Sequence, residues 1–395
     1  MDSFTVLPAD GVGGPRRVRG KGKKMARAAE GKEGWGQLRL ERIQARLDSD
    51  ELLALAAGDD FRYAAGWTPV GDERPTFLLI GRQRVGLIIA SVNREEAVSR
   101  LGTEMAVVSF SDADDPAGVL KTELGRFSGY RRILLSDAAR YDHASLLAAV
   151  SGQQLGLASR LMVPLRLQKD AEEQSLLAHS QAINDRAMRA AWDALDPAMT
   201  ELELADVVRR AYGANGADSA AFIMVAAGAH SALPHHVAGD TRLGHGPVLL
   251  DIGCYYQGYA SDMTRVAYLG EPTPKFRQIH ALVDLAVSAA LARIGPGVAA
   301  ADVDLAARGV IVRGGYGSAF VHRLGHGIGL GVHEAPSVTE TNPDPLPEQA
   351  AFSVEPGIYL PGEFGVRLEE VVINRKPGPL VLSSLSREIF VKAMA

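Results

Sequence analysis

The chain has 395 residues, which is more than one ordinary domain needs and enough for two. Hydrophobic residues make up 47% and charged residues 23%, a balance typical of globular proteins rather than of disordered or fibrous ones. The formal net charge of −5 gives the protein no overall attraction for nucleic acid, so a nucleic-acid partner is not expected.

The first residues differ in composition from the remainder. Residues 1–35 carry eight Lys or Arg against four Asp or Glu, together with seven glycines and almost no apolar periodicity. This predicts a disordered basic tail, with a nucleic-acid-binding arm as the less favoured alternative. No apolar run follows the basic cluster, so no secretory signal is predicted. The single cysteine, Cys254, excludes an intrachain disulfide, and a reducing cytoplasm is the expected location.

Residues 36–165 alternate helical and strand patterns, which favours an α/β domain. An amphipathic pattern predicts a helix at Gln37–Leu47. Short apolar runs predict strands at Thr76–Ile80, Val85–Ala90, Val107–Phe110 and Arg132–Leu135. Because Arg82 and Arg84 interrupt the most apolar stretch, Thr76–Val92, buried strands are favoured over a membrane span. Three aromatic residues are predicted to belong to a core or an interface rather than to a ligand cage: Phe61, Tyr63 and Trp67.

Residues 166–395 are predicted to form a second domain. Acidic residues open a long helical pattern at Asp170–Leu195, whose apolar positions are Leu176, Ile183, Met188 and Trp192. A second helix is predicted at Thr200–Tyr212, because its first threonine and the glutamate three residues later match a capping box. Nine of the ten histidines lie from His179 onward, so the chemistry is expected in this half.

Two apolar strand patterns each contain one acid. Asp251 lies within Val248–Ile252, and Asp262 lies within Ser261–Arg265. A turn centred between Tyr256 and Gln257 would place the two aspartates directly opposite each other, with Cβ atoms about 4.5–5.5 Å apart. Two like charges that close repel unless a cation lies between them. The pair therefore predicts a metal site.

The same construction recurs near the C-terminus. Glu355 lies within Phe352–Pro356, and Glu369 lies within Val366–Glu370. A turn centred on Gly362 places these two glutamates directly opposite each other. The sequence therefore predicts a second facing carboxylate pair.

Several histidines accompany these acids. His322, His326 and His333 lie in a segment whose glycines alternate from Gly325 to Gly331, which predicts an extended strand with one bare face. A bare face permits close approach by backbone, metal or substrate. His326 would project from the opposite face with Ile328 and Leu330, and His235 with His236 supplies further imidazoles upstream.

Four carboxylates and one imidazole form a hard, mostly oxygen ligand set. Four negative charges balance two divalent cations, which favours a dinuclear centre. Manganese is the first choice, and cobalt, zinc and iron are chemically reasonable alternatives. Such centres activate a bridging water and polarise a scissile carbonyl.

At these residues the chain resembles the pita-bread metallopeptidases, which include methionine aminopeptidase, aminopeptidase P and prolidase. The resemblance extends from about Arg166 to the C-terminus and implies an N-terminal α/β domain followed by an α+β pita-bread catalytic domain. It implies five metal ligands: Asp251, Asp262, His326, Glu355 and Glu369. Glu355 would also act as the general base. Three histidines would contact substrate and stabilise the tetrahedral intermediate: His235, His322 and His333. Arg367 resembles the arginine of the prolyl-peptidase branch and is counted with the catalytic residues.

The N-terminal domain and the segment around Arg367 resemble the prolidase and aminopeptidase P branch. That resemblance implies hydrolysis of the Xaa-Pro bond at the N-terminus of di- or short peptides, and a homodimer.

Two alternative functions remain. The first is an enzyme of the same fold that hydrolyses a non-peptide amide, such as a creatine-like or compatible-solute substrate. The second is a binding protein that has lost catalysis. The complete ligand set disfavours the binding protein, and Gly253 disfavours a lyase relative that carries an aspartate there. Glu370 is expected outside the ligand set, and Cys254, close to Asp251, suggests sensitivity to oxidation.

Overall fold

The computed structural model describes residues 37–102 and 105–393. The basic tail predicted for residues 1–35 lies outside the described residues. Residues 37–44 are helical, in agreement with the amphipathic pattern. The helices that follow are α1 Asp59–Ala65, α2 Arg94–Leu101, α3 Pro116–Leu124, α4 Tyr141–Ser151, α5 Ser159–Leu167, α6 Ala171–Ala194, α7 Glu201–Ala214, α8 Pro274–Arg293 and α9 Ala300–Arg313.

The strands alternate with these helices in the first half and cluster in the second half. In chain order they are β1 Glu51–Leu55, β2 Phe77–Ile80, β3 Val85–Ala90, β4 Ala106–Phe110, β5 Arg132–Leu135, β6 Gln154–Leu157, β7 Ser219–Ala227, β8 Gly246–Tyr256, β9 Tyr259–Ala260, β10 Met263–Leu269, β11 Gly325–Gly327, β12 Glu334–Val338, β13 Ala351–Val354, β14 Gly357–Leu360, β15 Phe364–Arg367, β16 Glu370–Ile373, β17 Leu380–Val381 and β18 Phe390–Lys392.

The first half forms a six-stranded mixed sheet in the order β4-β3-β2-β1-β5-β6. The four predicted strands are confirmed as β2 to β5. β1 and β6 were not predicted. β1 begins with Glu51, whose buried carboxylate pairs with Arg132 at 3.1 Å and with Arg160. β1 was not predicted because an acid at the start of an apolar run is unexpected in a buried central strand. The ion pairs of Glu51 compensate for the burial of its charge.

The second half contains two larger sheets and a two-stranded hairpin. One sheet has the order β18-β10-β8-β7, with β9 paired to β8, and the other has the order β12-β11-β13-β16-β17. Helices α6 and α7 pack on one face of the first of these sheets, while α8 and α9 share a core with both sheets. The separate hairpin is formed by β14 and β15.

Both predicted helices of the second half begin at capping boxes. Asp170 and Glu173 cap α6, and Thr200 and Glu203 cap α7. The predicted apolar positions Ile183, Met188 and Trp192 are buried, whereas Leu176 is only half-buried and Leu177 takes the fully buried position.

One apolar core connects the two halves of the chain. It contains Leu53 and Phe61 from the first half together with Tyr259 and Ile328 from the second. Phe61 and Tyr63 are fully buried and Trp67 packs against Phe61 edge-to-face, as the core prediction required. None of the helices in the described ranges has the length and apolar composition needed to cross a membrane. The domain division at residues 165 and 166 stays a prediction.

Candidate metal centre

The first carboxylate hairpin has a different register from the predicted one. Gln257 and Gly258 form the two-residue turn, with φ of 49° and 84°, and Asp251 pairs with Thr264. The predicted turn centre was wrong by one residue, because Gly258 occupies the second positive-φ position of the turn. This moves the pairing by two residues, which keeps the side chains on the same face. Asp262 therefore still lies on the face of Asp251, diagonal to it rather than opposite.

The second hairpin has the predicted register. Gly357 pairs with Arg367 in the inner ladder, and Val354 pairs with Glu370 in the outer one. Glu355 and Glu369 lie at the short break between the two ladders, where this register places them opposite each other. Gly362 turns the chain with φ of 78°, as expected for the turn centre.

The histidine segment is less regular than predicted. Only Gly325–Gly327 forms a strand, and a bulge follows His326, so the predicted long extended strand was wrong. The close backbone approach is confirmed. A Cβ atom at Gly325 would lie 1.9 Å from the Ser353 carbonyl oxygen, and one at Gly327 would lie 1.9 Å from the Ala335 carbonyl oxygen. Neighbouring strands therefore press on the backbone that carries His326.

All nine predicted site residues line one pocket of about 650 Å³. The four acids come from the two hairpins, and the histidines come from the surrounding loops and β11. His236 and Arg323 also line the pocket, and the rest of the wall is apolar: Ala221, Phe222, Ile223, Met224, Pro234, Val237 and Val332. The nine predicted residues in the pocket are Asp251, Asp262, His326, Glu355, Glu369, His235, His322, His333 and Arg367.

His326 is held with one ring nitrogen directed at the acids. Its Nδ1 lies 3.1 Å from the Gly327 carbonyl oxygen, so this nitrogen carries the proton and donates it there. Its Nε2 lies 3.1 Å from Glu355 Oε1 and 3.7 Å from Asp262 Oδ2, so a proton on this nitrogen is shared with the acids when no ion is bound. A metal-ligating histidine has this orientation, with its second nitrogen bonded to a backbone carbonyl, and an ion would replace the shared proton.

The acids are too close and too buried to be ionised together without a cation. Burial and then the neighbouring carboxylates raise the pKa of Asp262 and of Glu369 well above their usual values. Burial also raises the pKa of Glu355, but the hydrogen bond and charge of His326 outweigh it and lower that pKa to about 2. Asp251 Oδ1 and Glu369 Oε1 are buried without a hydrogen-bond partner. Divalent cations would satisfy these oxygens and the negative charge, so the residues present fit a metal centre.

Arg367 connects the two hairpins. Its Nη2 donates to Asp251 Oδ2 at 2.5 Å, and its Nε donates to Thr264 Oγ1 at 3.0 Å. The Thr264 hydroxyl in turn donates to Glu369 Oε2 at 2.9 Å. Two predicted ligands are therefore oriented by one guanidinium group and one hydroxyl. Thr264 was not predicted, although its place opposite Asp251 could have indicated it once the turn was set.

A second chain of hydrogen bonds reaches the pocket through Tyr359, another residue that sequence reasoning missed. Arg367 Nη1 donates to the Tyr359 hydroxyl at 2.7 Å, and that hydroxyl lies 2.9 Å from His322 Nε2. His322 Nδ1 is 2.8 Å from the Arg323 carbonyl oxygen, which leaves Nε2 to accept the tyrosine proton. Burial lowers the pKa of His322, which favours this neutral form.

The remaining predicted residues divide between the mouth and the back of the site. His235 and His333 are exposed at the mouth, and the His333 ring packs 4.1 Å from that of His326. Glu370 faces away from the pocket and pairs with Arg265 at 2.8 Å. This agrees with the expectation that Glu370 lies outside the ligand set. Cys254 also faces away from the pocket, toward Ser180 of α6, so the structure gives no support to the suggested sensitivity of the site to oxidation.

The fold and the donor set define a mixed α/β protein with an acidic, histidine-containing metal pocket. The profile of metallopeptidase family M24 matches residues 175–376, which is just over half of the chain. Among curated proteins, the probable dipeptidase PepE of Mycobacterium tuberculosis is 34% identical over 86% of this chain and 91% of its own length. The Xaa-Pro dipeptidase of Pyrococcus furiosus is 31% identical over 89% of this chain and 99% of its own.

Solved structures agree with these relatives. The crystal structure of recombinant prolidase from Thermococcus sibiricus superposes with a TM-score of 0.85 at 29% identity, covering 90% of this chain and 99% of that one. The chain belongs to metallopeptidase family M24, a membership that implies divalent metal ions, and Asp262, His326 and Glu369 form a group that could hold one. The predicted architecture, an α/β N-terminal domain followed by an α+β pita-bread catalytic domain, is confirmed.

Proposed function

We propose that this pocket hydrolyses the bond between an N-terminal residue and a following proline in di- or short peptides. The observation that carries the proposal is the convergence of four acids and His326 on one pocket in a family M24 chain. The relatives named above, an Xaa-Pro dipeptidase and a prolidase among them, support proline as the second residue.

We assign the metal to five residues: Asp251, Asp262, His326, Glu355 and Glu369. Their four carboxylates balance the charge of two divalent ions, and the oxygen-rich set favours manganese, with cobalt, zinc or iron as alternatives. When bound, the ions would lower the pKa of a water molecule and polarise the scissile carbonyl.

The protein's own groups handle the protons. Glu355, ionised at neutral pH, accepts the proton of the attacking water and passes it to the departing proline nitrogen. The Ser353 hydroxyl donates to Glu355 Oε1 at 3.0 Å and keeps the carboxylate oriented. His333 and His235, at the mouth, donate to the carbonyl oxygen as negative charge develops on it.

The shape of the pocket suits a short substrate with a rigid ring. Phe222, Ile223 and Val237 give it an apolar side, and its volume of about 650 Å³ is that of a small-molecule site. His322, fixed by Tyr359, lies where it can contact the peptide backbone.

We also infer that the protein acts as a homodimer, which light scattering of the purified protein would test.

The experiment is proline release from a series of dipeptides and tripeptides. Metal-stripped protein is reconstituted with manganese, cobalt or zinc, and Glu355→Ala is compared with Glu363→Ala. Glu363 is exposed and pairs with Lys275, so its loss leaves the pocket intact. We expect metal-dependent cleavage that Glu355→Ala reduces by about 10² or more and Glu363→Ala leaves unchanged. Cleavage of dipeptides alone would identify a dipeptidase, and cleavage of tripeptides an aminopeptidase. No Xaa-Pro cleavage with any of the metals would contradict the proposal and favour a non-peptide amide.

A further inference from the structure

A second cluster of metal-ligand side chains lies beside the pocket and shares no residue with the carboxylate hairpins. Glu201, the first residue of α7, has a fully buried side chain. Its Oε1 lies 2.9 Å from His230 Nδ1, and its Oε2 lies 2.8 Å from His236 Nε2. The two imidazole rings are 4.3 Å apart. One carboxylate and two ring nitrogens therefore converge on one point.

The backbone holds this carboxylate in place. The N–H groups of Ala227 and Gly239 donate to the two Glu201 oxygens at 2.9 and 3.0 Å. Both oxygens are therefore oriented by the backbone, which is the support that a metal-ligating carboxylate needs.

We propose that Glu201, His230 and His236 form a third divalent-metal site of the type that takes zinc. Two histidines and one glutamate, with an open fourth position, are an established zinc donor set. Donor atoms at about 2.0–2.1 Å from one tetrahedral zinc lie about 3.3 Å from each other. The potential donor atoms of the three side chains already lie within 4.8 Å of one another, so small side-chain rotations bring them to that separation.

An ion can reach the site from solvent. The His230 side chain is 37% exposed, and His236 lines the same pocket as Asp251. Donor identity, a supported carboxylate and an entry path are the features that a new metal site requires. Without an ion, the same arrangement is a buried carboxylate that accepts four hydrogen bonds, and that alternative predicts no metal uptake at these residues.

An ion at this site would fix one wall of the pocket. His236 follows His235 directly in the chain, and the same segment is docked on β15 by a bond from the Gly365 N–H to Ser231 Oγ at 2.9 Å. β15 carries Arg367. Zinc bound at the third site would therefore hold in place the segment of the pocket wall that carries His235.

The test counts bound ions rather than activity. Metal-stripped full-length protein is dialysed against zinc, and bound metal is measured by mass spectrometry for the wild type, His230→Gln and His236→Gln. His179→Gln is the matched control, because this exposed histidine of α6 lies outside both clusters. Glutamine keeps an N–H donor toward Glu201, so the metal-free variants should melt like the wild type.

We expect three ions per chain in the wild type and the control, and two in each of the other variants. Equal uptake by the wild type and both variants would overturn the proposal. Glu369→Gln reports on the hairpin centre separately. We expect His230→Gln to remove one further ion in the Glu369→Gln background, because the two clusters share no residue. If it removes none in that background, the ion lost in His230→Gln came from the hairpins and the proposal fails.

Discussion

The Tyr359 hydroxyl is a buried group between a cation and an imidazole. It accepts from Arg367 and contacts His322, and no charged or metal-binding pattern in the sequence marks it. Its position could have been inferred from the second hairpin, because Tyr359 pairs with Gly365 and so lies on the same face as Arg367, two residues further along. Neutral hydroxyl groups were missed because a search for charge and metal ligands does not select them.

Tyr359→Phe should lower activity without removing the metal. The change leaves a buried Arg367 N–H without its acceptor and releases His322, a loss of about 1–3 kcal/mol for a buried polar group. We expect kcat/KM for an Xaa-Pro dipeptide to fall about tenfold, with bound metal unchanged. Tyr256→Phe, at a tyrosine that contacts Gln257, is the control. A fall in metal content in parallel with activity would contradict this assignment.

Cys254 should be inert toward thiol reagents. Its side chain is fully buried and burial raises the pKa of its thiol, so little reactive thiolate forms. We expect iodoacetamide at neutral pH to leave both activity and the intact mass of the folded protein unchanged. Modification of the native protein at a rate close to that in urea would contradict the described packing.

At the scale of strands, the two hairpins show what residue pairing alone can predict. Glu355 and Glu369 were placed in the right register because one glycine, Gly362, marks the turn. Asp251 and Asp262 were misplaced, because the turn also needs a positive φ at Gln257, which a sequence pattern does not reveal. The error moved the pairing by two residues, so the face that carries the acids was still correct.

Gly327→Ala should disturb the strand that carries His326. An added Cβ would lie 1.9 Å from the Ala335 carbonyl oxygen, so the backbone must move. We expect a loss of about 1–3 kcal/mol in the free energy of unfolding, together with weaker metal binding. Gly213→Ala is the control: it lies in α7 with open space around it and should stabilise by about 0.5–1 kcal/mol. Urea unfolding of both variants checks the prediction, which fails if Gly327→Ala is neutral.

At the scale of the whole molecule, Glu334 joins the two halves of the chain. Its oxygens lie 2.5 Å from Arg166 Nη2 and 2.5 Å from Lys169 Nζ, and Arg166 also contacts Asp60 of α1 at 2.8 Å. Glu334 follows His333 directly, so this ion-pair network supports the mouth of the pocket from the first half of the protein.

Glu334→Gln should destabilise the protein in a pH-dependent way. Burial raises the pKa of Glu334, but Lys169 and Arg166 outweigh it and hold that pKa below its usual value near 4.5. A lowered pKa in the folded state contributes stability above the unfolded-state pKa, and this is lost as pH falls through the folded-state value. We expect a loss of about 3–5 kcal/mol at pH 7.

The difference between wild type and Glu334→Gln should shrink as the pH falls below about 4. Urea unfolding across that range is the measurement, with the exposed Glu363→Gln as the control. If the difference in the free energy of unfolding stays constant down to pH 3, packing rather than charge holds the segment around Glu334.

The general architecture could be predicted because strand and helix patterns alternate before residue 165 and the acids cluster after it. The core that joins Leu53 to Ile328 could not, since periodicity shows that a face is buried but not which distant face covers it. The ion pair between Glu334 and Lys169 could not be predicted for the same reason, because 165 residues separate the two partners in the sequence.

The opposite faces of β10 and β16 have a consequence for how this chain can change its length. Thr264 bonds to Glu369 on the pocket side, while the next residue of each pair, Arg265 and Glu370, forms a buried ion pair on the other side. Inserting or deleting one codon would exchange the two faces of the strand concerned. In β10 the change would direct the Arg265 guanidinium group at the carboxylate cluster, and at β16 it would turn Glu370 to the pocket side in place of Glu369. These strands can therefore diverge by substitution only, whereas the exposed loop at residues 375–377 can gain or lose codons in descendants of the gene.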